Sequence, residues 1–233
     1  MPDPVVADGA ASAAAALRML ERRQAVLANN LANISTRGFK AETPFARMLD
    51  GALSAADASL DPSQGPLSPT RNPLDLAVRG DGFFVVQTPS GERMVRDGTF
   101  ALDANRRLVD LQGNPVLAEG GALTLPVGRI DVDVTGLVSV DGIALKRLRL
   151  ERVAQVGALQ HEGGTRFVPD ATRASVPIEQ RDIRQGFVEE SNVNAMTAMT
   201  EMLDVLQRYR SAQTAMATLE SVDDIANALA KPV

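Results

Sequence analysis

The chain has no cysteine, no tryptophan, one tyrosine (Tyr209) and one histidine (His161). Without cysteine there is no disulfide, no thiol nucleophile and no thiolate metal site. A single histidine excludes sites built on several imidazoles. His161 sits in Gln160-His161-Glu162-Gly163-Gly164, which reads as a solvated polar turn rather than an acid–base centre. Aromatics make up only 3% of the residues, so Ala, Leu, Val and Met must fill most of the core. That favours helix seams and small strands over deep aromatic pockets. No run reaches the ~20 apolar residues of a membrane span, and Met1-Pro2-Asp3-Pro4 lacks the basic patch and apolar stretch of a secretory signal. Composition by itself points to a soluble cytoplasmic protein, unless export uses an uncleaved signal. Gly-x-Ser-x-Gly, His-Glu-x-x-His and P-loop strings are all missing.

What is present is a chain of 233 residues, 45% apolar, long enough to bury a sizeable core in one large or two small domains. The net charge of −5 has the wrong sign for nucleic-acid binding. Its distribution is uneven. Arg18, Arg22, Arg23, Arg37, Lys40 and Arg47 outnumber Glu21 and Glu42, whereas acidic residues from Glu189 to Asp224 outnumber Arg208, Arg210 and Lys231. Two readings fit: opposed charges that help the two ends meet, or two solvated helix faces.

The first element expected is a helix over residues 11–33. Ala13, Leu17, Leu20, Gln24, Leu27, Leu31 and Ile34 alternate spacings of 4 and 3, a heptad seam. A longer helix is expected over 194–230, with a stripe of Met199, Met202, Leu206, Tyr209, Gln213 and Met216 continued by Val222, Ala226 and Leu229, and no Gly or Pro before Pro232. Between them, Pro62, Pro66, Pro69 and Pro73 favour extended chain. From residue 74 to about 184, short β-prone runs alternate with turn pairs such as Ser90-Gly91, Asp97-Gly98, Gly113-Asn114 and Asp141-Gly142. The fold class expected is α+β. Long terminal helices form a coiled-coil-like domain around a central antiparallel β domain, divided as an N-terminal assembly helix (1–35), a turn and Pro-rich linker (36–72), the β domain (73–184) and a C-terminal assembly helix (185–233). Lone terminal helices bracketing a β domain need each other or other subunits, which argues for assembly. A further expectation is that both are largely disordered in the free subunit, since neither seam has an adequate in-chain partner.

Three strings carry a family resemblance. Leu27-Ala28-Asn29-Asn30-Leu31-Ala32-Asn33-Ile34-Ser35-Thr36-Arg37-Gly38-Phe39-Lys40 resembles the N-terminal motif of flagellar rod and hook proteins. Gln64-Gly65-Pro66-Leu67, Asn72-Pro73-Leu74-Asp75-Leu76-Ala77-Val78, Gly80-Asp81-Gly82-Phe83-Phe84-Val85-Val86 and Arg96-Asp97-Gly98-Thr99-Phe100 resemble the start of that family's β domain. Gln185-Gly186-Phe187-Val188-Glu189-Glu190-Ser191-Asn192-Val193-Asn194 is similar to the motif that opens its C-terminal helix, with Asn194 as N-cap. In the first string, Asn33, Ser35 and Thr36 suit a helix end, Gly38 a positive-φ reversal and Phe39 an anchor.

The resemblance implies a structural subunit of the flagellar rod, not an enzyme, without cofactor, metal, nucleic-acid or small-molecule partner and without membrane insertion. The turn at Gln87–Arg93 and the short length look most like the proximal rod branch, with the distal rod as alternative. Such subunits stack their terminal helices into a tube around an export channel, cross the periplasm, transmit torque and leave the cell through the flagellar type III export apparatus without signal cleavage. Their partners are copies of themselves and other axial proteins. The interface residues expected are Leu17, Leu20, Leu27, Asn29, Asn30, Leu31, Asn33, Thr36, Gly38, Phe39, Asn192, Asn194, Met199, Leu203 and Leu206. A remote alternative is an adhesin using Arg79-Gly80-Asp81, which is also explained as a tight hairpin turn.

Overall fold

The computed structural model describes residues 4–49, 52–163 and 165–229; the outer ends of the first and last segments above, including Lys231 and Pro232, lie outside them. Two long helices, α1 (Pro4–Ala32) and α2 (Ala195–Leu229), bracket a β-rich middle. α1 starts with proline, whose missing N–H and fixed φ suit the first helical position. The chain divides into two compact units. One holds α1, α2 and the paired strands β1 (Glu42–Leu49) and β2 (Ala52–Leu60) up to Ser59; the other holds Asn33–Ala41 and Leu60–Val193.

In the second unit, β3 (Leu67–Pro69) pairs with Phe187–Glu189 and β4 (Leu76–Val78) with Ile183–Gln185. β5 (Phe83–Thr88) and β6 (Gly91–Val95) are central in a six-stranded sheet with Gln160–His161 and Arg166–Val168 on one side and Leu150–Arg152 and Ala174–Ser175 on the other. β5 is buried on both faces, which is why it reads as the unbroken run Phe83-Phe84-Val85-Val86 instead of alternating. Phe84 and Val86 join the large core with Val95, Phe100, Leu148 and Leu150. Phe83 joins a smaller one with Leu60, Met94, Leu159 and Phe167. The few aromatics are spent at the centre, with Phe84 edge-on to Phe100 at 5.2 Å and Phe83 edge-on to Phe167 at 5.5 Å.

The coiled-coil-like domain expected of the two helices is corrected. Both helices exist, but the heptad seam on α2 does not. Among its described side chains Ala198 and Val205 are buried, while Met199 of the expected stripe is 54% exposed, Leu203 is 62% exposed and Gln213 faces solvent. Leu17 and Leu20 on α1 are only half-buried. The side-chain bonds between the helices are polar: the Tyr209 hydroxyl donates to Glu21 at 3.0 Å, and Arg23 lies 3.8 Å from Glu201. α2 carries apolar residues around much of its circumference, so periodicity alone could not choose between two adjacent stripes. The helices are thus each other's neighbours within this unit.

Candidate assembly site

The expected interface residues fall into two groups. On α1, Leu27 is buried, Leu31 half-buried and Asn29 exposed. Asn30 is buried and clasps the backbone of Glu42 in both directions, donating to its carbonyl at 2.8 Å and accepting from its N–H at 2.9 Å. On α2, Asn194 caps the helix by accepting the Thr197 N–H at 3.1 Å, so one orphan donor is satisfied. Leu206 is half-buried, and Met196, Met199 and Leu203 stand out into solvent.

The remaining ones have internal roles in the β unit. Thr36 donates through both its N–H and its hydroxyl to Asn33, each at 3.1 Å. Gly38 takes φ +67°, its N–H donates to the Glu189 carbonyl at 2.8 Å, and a Cβ there would lie 2.3 Å from the Asp97 nitrogen. Only glycine meets both demands. Phe39 is fully buried, and Asn192 binds Ala41 N–H (2.7 Å) and the Ser63 carbonyl (3.0 Å).

These contacts surround a group the sequence did not point to. Glu189 is 1% exposed and accepts from Lys40 Nζ at 2.8 Å, from Arg96 Nε and from the Gly65 N–H at 3.0 Å. Lys40 and Arg96 are equally buried. Burial pushes the Glu189 carboxyl up, and the adjacent Arg96 and Lys40 charges more than offset this, holding it below the usual carboxylate range. Burial pulls the Lys40 amine down, with Glu189 only partly compensating. The Arg96 guanidinium also binds the carbonyls of Val78 (2.9 Å), Gly80 (2.7 Å) and Gly82. One carboxylate therefore ties together residues from all three family strings. Each string was recognised as text, but the ion pairs span 149 and 93 positions, and no local pattern announces them.

Two other expectations change. His161 is not a solvated turn residue: it lies in a strand, its ring 4.6 Å from Phe167 and 5.9 Å from Phe39. Arg79-Gly80-Asp81 does not close a hairpin, because β4 pairs with Ile183–Gln185 and β5 with β6. The segment passes between two sheets, with Arg79 N–H on Asp182 at 2.8 Å and Gly80 N–H on Gln64 at 3.1 Å.

Comparison with known proteins accounts for the convergence. Residues 10–40 match the model of the flagella basal body rod protein, residues 77–140 that of the flagellar hook protein FlgE/F/G D1 domain, and residues 184–229 that of the flagellar basal body rod FlgEFG protein C-terminal. The flagellar basal-body rod protein FlgF of Mesorhizobium japonicum is 33% identical over 88% of this chain and 90% of its own length. The chain belongs to the flagellar basal-body rod family. FlgF of Escherichia coli is 31% identical over 87% of this chain and 88% of its own, and FlgG of Buchnera aphidicola 30% over 79% and 85%. The FlgF-like rod chain is a structural subunit of the basal body, and no helix among its described residues is long and apolar enough to cross a membrane.

Proposed function

We propose that this chain is a subunit of the proximal rod, joining copies of itself and other axial proteins through the outward faces of its two terminal segments, residues 1–35 and 185–233. It leaves the cell through the flagellar type III export apparatus without losing a leader, surrounds the export channel and passes torque along the rod. The carrying observation is the strip Met196, Met199 and Leu203 on α2, 75%, 54% and 62% exposed and spaced 3 and 4 residues apart along one face. Three large apolar side chains in water on one helix face mark a surface that another chain covers. The β unit has its own hydrophobic core and its own buried ion pairs at Glu189.

Leu203→Asp tests this. The site is exposed, so the purified chain should keep its stability within about 0.5 kcal/mol. A strain carrying it should lose swimming, and its basal bodies should stop short of a complete rod. Normal swimming with complete rods would overturn the reading.

A further inference from the structure

A cavity of about 180 Å³ opens beside the Glu189 joint, lined among others by Lys40, Gln64, Asp81, Phe83, Arg96 and Arg152. Its charge is unbalanced. Lys40 and Arg96 are 2% and 3% exposed, and among the described residues the one carboxylate buried with them is Glu189. Two cations against one anion leave one positive charge in a low-dielectric setting, where an uncompensated charge is costly. Asp81 on the rim is exposed and makes no ion pair among the described residues. Asp61, the other acid near Lys40, is half-buried and acts on it only at a distance.

Donor capacity is left over as well. An ammonium has three hydrogens, and Lys40 gives two of them, to Glu189 at 2.8 Å and to the Ser63 carbonyl at 2.6 Å. A guanidinium has five, and Arg96 gives four: to Glu189 and to the carbonyls of Val78, Gly80 and Gly82. Arg152, exposed and also lining the cavity, spends a single N–H on Gln180 at 3.1 Å. The volume is well below the ~300 Å³ at which sites for drug-sized ligands begin.

We propose that this cavity is a binding site for one small anion, a carboxylate or a group of similar size, taken up by the spare hydrogens of Lys40 and Arg96 and closed by Arg152. Such a carboxylate has two sources, a free anion or an acidic side chain of a neighbouring copy, and both present the same chemistry to the site. The site lies wholly within the β unit and does not depend on how the terminal helices assemble.

The test is a titration of the purified full chain with sodium acetate, and separately with inorganic phosphate, following the amide signals of Gly80, Gly82 and Ala154 by nuclear magnetic resonance against sodium chloride at matched ionic strength. Saturable shifts are expected with acetate and not with chloride. Arg152→Gln, at an exposed position that leaves the fold intact, should weaken them about tenfold, as loss of one charged hydrogen bond does. Lys40→Met, if it folds, should abolish them. Shifts independent of protein concentration mark a free anion as the occupant. Shifts of the same amides on raising protein concentration, reversed by acetate, mark a neighbour's carboxylate. Shifts that are linear, equal in chloride or unchanged by Arg152→Gln, with no concentration dependence, would overturn the proposal.

Discussion

Replacing Glu189 by glutamine keeps the side chain's volume and removes its charge. The structure sets the consequence. Lys40 and Arg96, both almost fully buried, lose their shared counterion, and the amide NH2 that replaces one oxygen meets donors: Lys40 Nζ and the Gly65 N–H on one side, or Arg96 Nε on the other. Removing one partner of a buried ion pair costs about 3–5 kcal/mol, because the remaining charge stays dehydrated. At 2–4 °C per kcal/mol for a chain of this size, the transition should fall by roughly 6–20 °C. The assay is thermal or urea unfolding of purified wild type and Glu189→Gln, followed by a signal from the β unit. A pH series sharpens it. The Glu189 pKa is depressed in the folded chain, so its contribution is complete above the unfolded carboxylate value of about 4.3 and fades as pH falls through the lower folded value. The gap between the two proteins should be constant above about pH 5 and narrow as pH falls below the unfolded carboxylate value. A loss under about 1 kcal/mol, or a gap that grows on acidification, would refute the claim that this carboxylate holds the joint.

Gly98→Ala should be among the most damaging small substitutions, since a Cβ there would lie 1.6 Å from the Leu76 carbonyl oxygen; a chemical-denaturation midpoint close to wild type would contradict the close approach. His161→Ala, which a solvated turn residue would tolerate silently, should cost about 0.5–1.5 kcal/mol through loss of its packing on Phe167 and Phe39, read as a shift in midpoint with unchanged slope. By contrast, Glu92→Gln, whose partners Arg149 and Arg173 are partly exposed, should change stability by no more than about 1 kcal/mol, and the change should shrink in high salt.

Much of this molecule was legible before any coordinates. Apolar periodicity without proline or glycine marked α2, and Asn194 was readable as its cap because a short polar side chain ahead of a helical run has a local job. Gly38 was readable as a reversal for the same kind of reason, and turn pairs such as Asp141-Gly142 punctuated the strands. The three family strings were sufficient to place the chain among rod proteins. Each of these features depends on residues a few positions apart, and such features survive in a linear reading.

What only the tertiary structure decided depends on residues far apart in the chain. Which stripe of α2 is buried follows from what lies against it, so Val205 was covered while Leu203 was not. His161 meets Phe167 through strand pairing, and Phe39 reaches His161 from more than 120 positions away, neither of which any spacing encodes. Above all, Glu189 was a carboxylate beside another carboxylate until folding carried Lys40 and Arg96 to it. A buried charge is tolerable only next to its counterions, and that neighbourhood exists only once distant strands have paired.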